Sequence, residues 1–172
     1  MKKFLLMFFI FFVALIAFMP KVNLLYTGLN LLKQERVTVT HESLKDNLVS
    51  LVGDNVSIFY DGIDSVHVEK YALKPWLIYN KLDATNIGAS KELQNMFGFS
   101  AENVEVTYAV WDFNTVHIHA DGDFGEVSGT MDLKTMMLKL LLEPSGAFSK
   151  SPLLGQYFKK GEEGYVYESK IQ

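Results

Sequence analysis

Hydrophobic residues are distributed along this chain in two different ways. Residues 4–19 are sixteen consecutive uncharged residues, FLLMFFIFFVALIAFM, whereas the rest of the chain contains short stretches in which apolar and polar residues alternate. A continuous apolar stretch predicts a helix in apolar surroundings, and alternation predicts strands with one buried face. The sequence therefore predicts an apolar N-terminal helix followed by a β-rich domain.

The clearest alternation lies in the middle of the chain and predicts three strands of an antiparallel meander. These strands are residues 104–111, 116–121 and 127–133. Residues 136–143 fit either a helix or a fourth strand, and the preceding meander favours a strand. One apolar and one polar face are expected for the resulting sheet.

Weaker patterns predict the other elements of the domain. The apolar residues at 44, 48, 51 and 52 share one helical face, with Gly53 as the end of that helix. Further strands are predicted at 36–40, 56–60, 65–71, 76–87 and 165–167, and helices at 42–52, 90–97 and 151–160. The predicted fold class is α+β: a mainly antiparallel, curved β-sheet of seven or eight strands with two or three short helices, following an N-terminal transmembrane helix.

The apolar N-terminal stretch fits either a cleaved signal peptide or a membrane anchor. Ala14 and Ala17 are three residues apart rather than two, which is a poor cleavage signal. Sixteen helical residues span roughly 24 Å, slightly short for a bilayer, but flanking lysines can extend to the headgroups. We therefore predict an uncleaved anchor in contact with the lipid bilayer through residues 4–19. Its expected lipid-facing residues are Phe4, Phe8, Phe9, Phe11, Phe12, Leu15 and Phe18.

The lysines around the anchor predict its orientation. Lys2 and Lys3 precede it and Lys21 follows it, which favours a cytoplasmic N-terminus. The rest of the chain would then lie in the periplasm of a Gram-negative cell, attached to the inner membrane. We expect a signal-anchor at 1–20, a membrane-proximal segment at 21–35 that packs against the domain or the membrane surface, and a periplasmic β-rich domain at 36–172.

Composition disfavours several classes of function. Without the two leading lysines, the 16 basic residues become 14 against 20 acidic ones, a net charge of −6. Nucleic-acid binding needs a basic surface and is not expected. The chain has no cysteine, which excludes disulfides, thiolate nucleophiles and zinc–thiolate sites. Phosphate-loop, dinucleotide and serine-hydrolase motifs are absent, so we expect no cofactor and no enzymatic activity.

Two histidines have the spacing of metal ligands. His117 and His119 would lie on one face of a strand with Asp121 and Asp123, and imidazoles two residues apart can reach one metal ion. The same positions also form the solvent-exposed face of an amphipathic strand, and Asp121-Gly122-Asp123 is typical of a turn. We favour the solvent-exposed face over a metal site or an envelope enzyme that uses these histidines.

Four aromatic residues are candidates for an interaction surface. Trp111 and Phe113 flank a predicted hairpin connection, and Trp76 and Tyr79 are placed to line an apolar groove. A sheet with one long apolar face must cover that face with its own helices, a partner chain or a lipid. We expect the function to depend on which of these covers it.

Three stretches of the chain resemble the protein N family of type II secretion systems and, more loosely, AsmA-like envelope proteins. Residues 64–78 resemble a strand, proline and next-strand pattern, and residues 124–133 resemble a strand rich in small residues. Residues 138–167 resemble a leucine strand, Pro-Ser, a short helix and a final tyrosine strand. The resemblance implies an inner-membrane anchor, a periplasmic β-rich body and a non-enzymatic role in an envelope machine, and it assigns no functional residue.

These observations predict an accessory protein of the inner membrane. Its periplasmic domain is expected to bind other proteins of a secretion-type (type II-like) envelope assembly, for example through an exposed sheet edge. The alternative is a lipid-handling domain in which the apolar face of the sheet is a groove for acyl chains.

Overall fold

The computed structural model of this chain describes residues 2–90, 93, 100–146, 157–161 and 164–171. Within these residues, helices α1 (Lys2–Ala17) and α2 (Lys21–Gln34) precede one sheet of ten strands. The strands are β1 (Val37–Asp46), β2 (Leu51–Tyr60), β3 (Ile63–Trp76), β4 (Tyr79–Ala89), β5 (Ser100–Ala109), β6 (Thr115–Gly122), β7 (Gly125–Asp132), β8 (Met137–Pro144), β9 (Lys159–Lys160) and β10 (Tyr165–Lys170).

The described strands form an antiparallel meander. Strands β1 to β7 each pair with the next strand along the chain, and β10 then pairs with β8 and carries β9 at its outer side. The predicted α+β class with a mainly antiparallel sheet is confirmed. The sheet is larger than the seven or eight strands predicted, and β9 lies in a stretch for which the sequence pattern predicted a helix.

The alternating pattern in the middle of the chain is confirmed as β5, β6 and β7. Residues 137–144 form β8, which confirms the strand interpretation of this ambiguous stretch. Two boundaries are wrong: Trp76 ends β3 instead of beginning the next strand, and Val110–Asp112 form a 3-10 turn after β5. Both tryptophans therefore lie at strand ends.

The helix predicted at residues 42–52 is wrong. These residues form the end of β1, a turn and the start of β2, and the Asn47 N–H donates to the Ser50 carbonyl oxygen at 2.8 Å. Leu48 lies at the tip of this turn and is exposed. The four apolar residues with helical spacing therefore lie on two strands and the turn between them. The pairing of β2 with β3 outweighed the local helical pattern.

Two other predicted helices fall largely outside the described residues. For residues 90–97, the structure describes only Ser90 and Leu93, and Ser90 is not helical. Of residues 151–160, the last two form β9 instead of a helical end.

Partway along several strands, the alternation of apolar and polar positions changes phase by one residue. In β2 the buried residues Gly53 and Val56 are three apart, where a regular strand would keep a spacing of two. Asn55 in β2 and Asn86 in β4 have left-handed backbone conformations, with φ of 49° and 52°. They lie on the two strands that flank Glu69 of β3, and Asn86 donates a side-chain hydrogen bond to Glu69. The irregularity therefore crosses neighbouring strands at the same level.

This shift keeps the apolar side chains on one face of the sheet. Ala101 and Val104 of β5 are also three residues apart, yet both pack against the core cluster of Ala120, Phe124 and Leu142. The sheet pairing between Ala101 and Asn103 is irregular at the same level. An apolar face therefore runs along the strands in spite of the change in phase.

The core of this sheet is thin. Helix α2 packs mainly against β1, where the rings of Tyr26 and His41 lie 6.2 Å apart. Farther across the apolar face, Val106, Ile118 and Leu140 remain partly exposed. The apolar face is thus only partly covered by the described residues.

The described helices include no single helix long and apolar enough to cross a membrane. Helices α1 and α2 meet the length and composition requirement only as a pair, which is bent by 51° between them.

Candidate functional site

One end of the sheet carries four turns and the attachment of α1. A meander places every second turn at the same end, and here these are the turns at residues 47–50, 77–78, 110–114 and 133–136. A common apolar cleft of about 370 Å³ is lined by Leu77, by α1 residues Phe11, Ala14 and Leu15, and by residues 18–20 after α1. We call these four turns the anchor-side rim.

The start of α2 is fixed to the same end. The Lys21 ammonium lies 2.9 Å from a carboxylate oxygen of Asp46, the last residue of β1, and also donates to the Met19 carbonyl oxygen. The Lys21 side chain is almost completely buried, whereas Asp46 is partly exposed. This ion pair joins the junction of the two helices to the sheet.

The anchor-side rim exposes many large apolar side chains. The exposed residues in or next to its turns are Leu48, Val49, Trp76, Leu77, Ile78, Val110, Trp111, Phe113, Leu133 and Met136. Both tryptophans of the chain are among them. At the opposite end, the turn residues include Asp61-Gly62 and Asp123-Phe124, and Phe124 is buried. Tyr60 and Ile63 beside the first of these turns are exposed, but its tip is polar.

The structure places all four predicted aromatic interaction residues at this rim. The rings of Tyr79 and Trp111 stack at 6.3 Å with an interplanar angle of 7°. The Trp76 indole N–H donates to the Val49 carbonyl oxygen at 2.9 Å, which links two neighbouring turns. Trp111 and Phe113 are 70% and 66% exposed, so both are available for contact.

A second apolar cleft of about 370 Å³ lies on the sheet nearer the opposite end. It is lined by Tyr60, Ser65, Val66, Ile87, Gly88, Ala89, Leu93 and Ala101. Ala101 also packs against the core cluster. This cleft therefore belongs to the apolar face described above.

The predicted anchor residues lie on α1 and are largely exposed. Phe4, Phe8, Phe9, Phe11, Leu15 and Phe18 are all exposed, and Phe12 is partly exposed. No residue of α1 is buried. This helix therefore presents apolar side chains around its circumference, which in water would be unfavourable.

The two histidines of β6 contact different carboxylates on the polar face. The His117 Nε2 lies 2.9 Å from Asp112 Oδ2, and the His119 Nδ1 lies 3.7 Å from Glu126 Oε1. Hydrogen bonds from Thr115 and His117 lower the pKa of Asp112. In the part of the chain that the structure describes, no three His, Asp or Glu side chains are grouped so that they could hold a metal ion.

An ion-pair network crosses three strands of the sheet. Asp83 of β4 lies 2.9 Å from both Lys74 and Lys81, and Lys81 lies 2.6 Å from Glu105. Partial burial raises the pKa of Asp83, but hydrogen bonds from Lys74 and Lys81 outweigh it and hold this pKa below its ordinary value. Hydrogen bonds to Glu105 and Asp83 raise the pKa of Lys81.

We expect Asp83→Asn to lower the free energy of unfolding by about 1 kcal/mol at neutral pH. Because the pKa of Asp83 is lower in the folded state, its ionised form stabilises the fold above its unfolded pKa, near 3.8. This contribution is lost as the pH falls through the folded value. Urea unfolding between pH 7 and pH 2.5 should show the two proteins converging at acid pH, and a constant difference would contradict the assignment.

Comparison with protein-family models, curated proteins and solved structures finds no significant match for this chain.

Proposed function

We propose that this protein is a single-pass inner-membrane protein whose periplasmic sheet holds the acyl chains of membrane lipids along its apolar face. The observation that carries this proposal is the continuous and partly exposed apolar face. Val106, Ile118 and Leu140 lie on three different strands of it and remain partly exposed. Exposed apolar surface of this extent favours an apolar ligand or partner.

The proposed anchor is α1 together with its bend into α2. The exposed phenylalanines of α1 favour a lipid environment, and its sixteen residues are marginal for a span. Helix α2 packs against β1 and therefore belongs to the domain. Lys21 at the bend is paired with Asp46, which lowers the cost of placing a charge near the apolar segment.

The position of the anchor connects the apolar face to the bilayer. The anchor-side rim lies at the end of the strands nearest α1, and the apolar positions continue from there toward the cleft lined by Val66, Ile87 and Ala101. A lipid chain that left the bilayer beside α1 would therefore meet apolar side chains along its path. The shift at Asn55 and Asn86 preserves this path where a regular strand would expose polar side chains.

The energetics favour exchange of lipid over tight storage. A methylene group buried from water gains about 0.8 kcal/mol. The same group is already buried in the bilayer, so transfer to the sheet changes its free energy little. A half-open face of this kind is suited to guiding chains to or from a membrane, and the partly exposed side chains agree with that use.

We expect Ile118→Asn to reduce the lipid that remains bound to the full chain after extraction and purification in mild detergent. The polar amide would interrupt the apolar face in the middle of β6. His119→Asn is the matched control, because it makes the same residue on the opposite face of the same strand. Mass spectrometry of organic extracts should show a severalfold loss for the first variant and none for the second.

A second variant separates loss of binding from loss of folding. Ile118→Trp keeps the position apolar but fills space on the face, and it should also lower the retained lipid. Thermal unfolding of each variant shows whether it is folded. Equal lipid retention by the folded Ile118 variants and by His119→Asn would contradict the proposal.

Binding of another envelope protein is a second candidate function. Strand β1 forms one edge of the sheet, with ten residues from Val37 to Asp46 whose exposure alternates over most of its length. An edge of this kind can accept a strand from a partner. Stoichiometric co-purification of a partner that is lost in Val39→Pro, which removes an edge N–H, would support this function.

A further inference from the structure

We propose that the anchor-side rim inserts its apolar turn tips into the headgroup region of the membrane, as a second lipid contact beside α1. This inference rests on the membrane anchor of the proposed function, but not on the binding of acyl chains to the sheet. The partner is the lipid surface itself.

The cleft that Leu77 shares with α1 sets the depth of the rim. Leu77 lines the same cleft as Phe11 and Leu15 of α1 and Phe18 directly after it. Phe11 and Phe18 are about 10 Å apart along the helix axis, so Leu77 lies beside the last two turns of α1. If these turns are in the bilayer, Leu77 must be at or below its surface.

The turn tips have an unusual composition for an aqueous environment. Gly, Asn, Asp, Pro and Ser dominate turns, whereas here Leu48-Val49, Leu77-Ile78, Trp111 and Met136 occupy four successive turns of the rim. All of these residues are exposed. Of the two opposite-end turns that the structure describes in full, the Asp61-Gly62 tip is polar and the Phe124 side chain of the other is buried, so among the described turns exposed apolar tips occur at the end that carries α1.

Backbone conformation gives an independent reason to regard these side chains as functional. Leu77 and Met136 have left-handed conformations, with φ of 59° and 55°. Such a conformation costs a residue with a Cβ about 1 kcal/mol or more, and glycine avoids this cost. Large apolar residues at two strained and exposed positions of one rim are explained if their side chains enter lipid.

The two tryptophans identify the headgroup region as the site of insertion. Tryptophan is enriched at the boundary between the apolar and polar parts of a membrane. The indole N–H of Trp76 is already paired with the Val49 carbonyl oxygen, so this side chain can enter an apolar environment without leaving a donor unsatisfied. Trp111 projects beside it at the next turn, supported by its stacking on Tyr79.

The rim is long enough to support the sheet on a membrane. Its first and last turns are separated by six strand spacings, which corresponds to roughly 29 Å along the sheet. A single helix leaves a domain free to tilt, whereas a line of contacts of this length restricts tilting. The sheet would then stand with its strands pointing away from the lipid surface.

Tryptophan fluorescence of the full chain in lipid vesicles tests this proposal. Trp76→Phe leaves Trp111 as the single emitter, and Trp111→Phe leaves Trp76. The matched control carries both substitutions together with Ile63→Trp, which places the emitter at an exposed site at the opposite end of the sheet, outside the lining of the second apolar cleft. Vesicles of phosphatidylcholine are compared with vesicles of phosphatidylcholine brominated near the glycerol end of one acyl chain.

We expect bromination to lower the emission of Trp111 and Trp76 about twofold, because indoles at the membrane boundary lie close to bromine near the glycerol end of the acyl chain, and to leave the emission of the Ile63→Trp control unchanged. Flotation of the vesicles reports the anchor separately. Protein that floats with the vesicles but shows equal quenching at both ends, or none, overturns the rim contact and leaves the anchor intact. Protein that does not float overturns the anchor and the rim contact together. If one of the two single-tryptophan variants fails to fold, the other still provides the measurement.

Discussion

Leu142→Ala should destabilise the folded sheet by about 2–5 kcal/mol. Leu142 is only 1% exposed, and it packs with Ala120 and Phe124 in the main core cluster. It lies on β8 between Val127 of β7 and Tyr165 of β10, so truncation leaves a cavity that rigid strands on both sides cannot close.

This loss is a large fraction of the stability of an ordinary domain, which is 5–15 kcal/mol. The thin core of this sheet offers few other buried side chains to compensate. Urea unfolding of the full chain in detergent micelles, followed by circular dichroism, measures the change. Leu133→Ala is the control: Leu133 is exposed at the rim, and its truncation should change the free energy of unfolding by less than about 0.5 kcal/mol. Equal effects of the two substitutions would contradict the assignment of the core.

Replacing Phe8 and Phe12 together by arginine should remove the protein from the membrane. Each arginine at the centre of a span costs about 2.5–3.5 kcal/mol. Helix α1 is already marginal in length, so it has little excess apolar free energy with which to offset this cost. The expected result is loss of most of the chain from the pellet after an alkaline wash of membranes.

The control for this experiment is the double replacement of Phe8 and Phe12 by leucine. It keeps the segment apolar and should leave the protein in the pellet. If the arginine variant also stays in the pellet, α1 does not anchor the protein.

Much of the sheet could be predicted because alternation is a local signal. From Val104 to the end of β8, the strands have apolar residues at every second position and a largely polar opposite face, so the pattern of each strand shows which of its faces is buried. The helix predicted at 42–52 is wrong because the helical spacing counted Leu48 among the buried residues of one helix face. In the structure, Leu48 lies at the tip of a turn and is exposed. Pairing with distant strands, which decides such cases, cannot be seen in a local window.

The candidate site was only partly predictable. The sequence singled out Trp76, Tyr79, Trp111 and Phe113 as candidates for an interaction surface, but it gave no reason to place them at one end of the sheet. Alternate turns of a meander lie at the same end of the sheet, so this placement can be predicted only when every strand has been identified. The apolar tips Leu77 and Met136 could not be singled out, because the pattern placed them inside the strands predicted at 76–87 and 136–143, and only in turns are large apolar residues uncommon.

The phase shift near Asn55 and Asn86 was not visible in the sequence. Asparagine adopts the left-handed conformation more readily than most residues, but its presence alone does not show that it does so. Without this shift, the pattern of residues 51–60 has no consistent apolar face. The continuity of the apolar face therefore depends on a backbone feature that only the structure reveals.

Site-specific photo-crosslinking in living cells tests the central proposal most directly. A photoreactive phenylalanine analogue is placed either at Leu140, on the apolar face of β8, or at the neighbouring Lys139, on the opposite face. Our account predicts that irradiation attaches lipid to the protein at position 140 but not at position 139, as detected by mass spectrometry of the purified full chain. Equal labelling by lipid at both positions, or a protein adduct without lipid at position 140, would contradict the proposal that this face carries acyl chains.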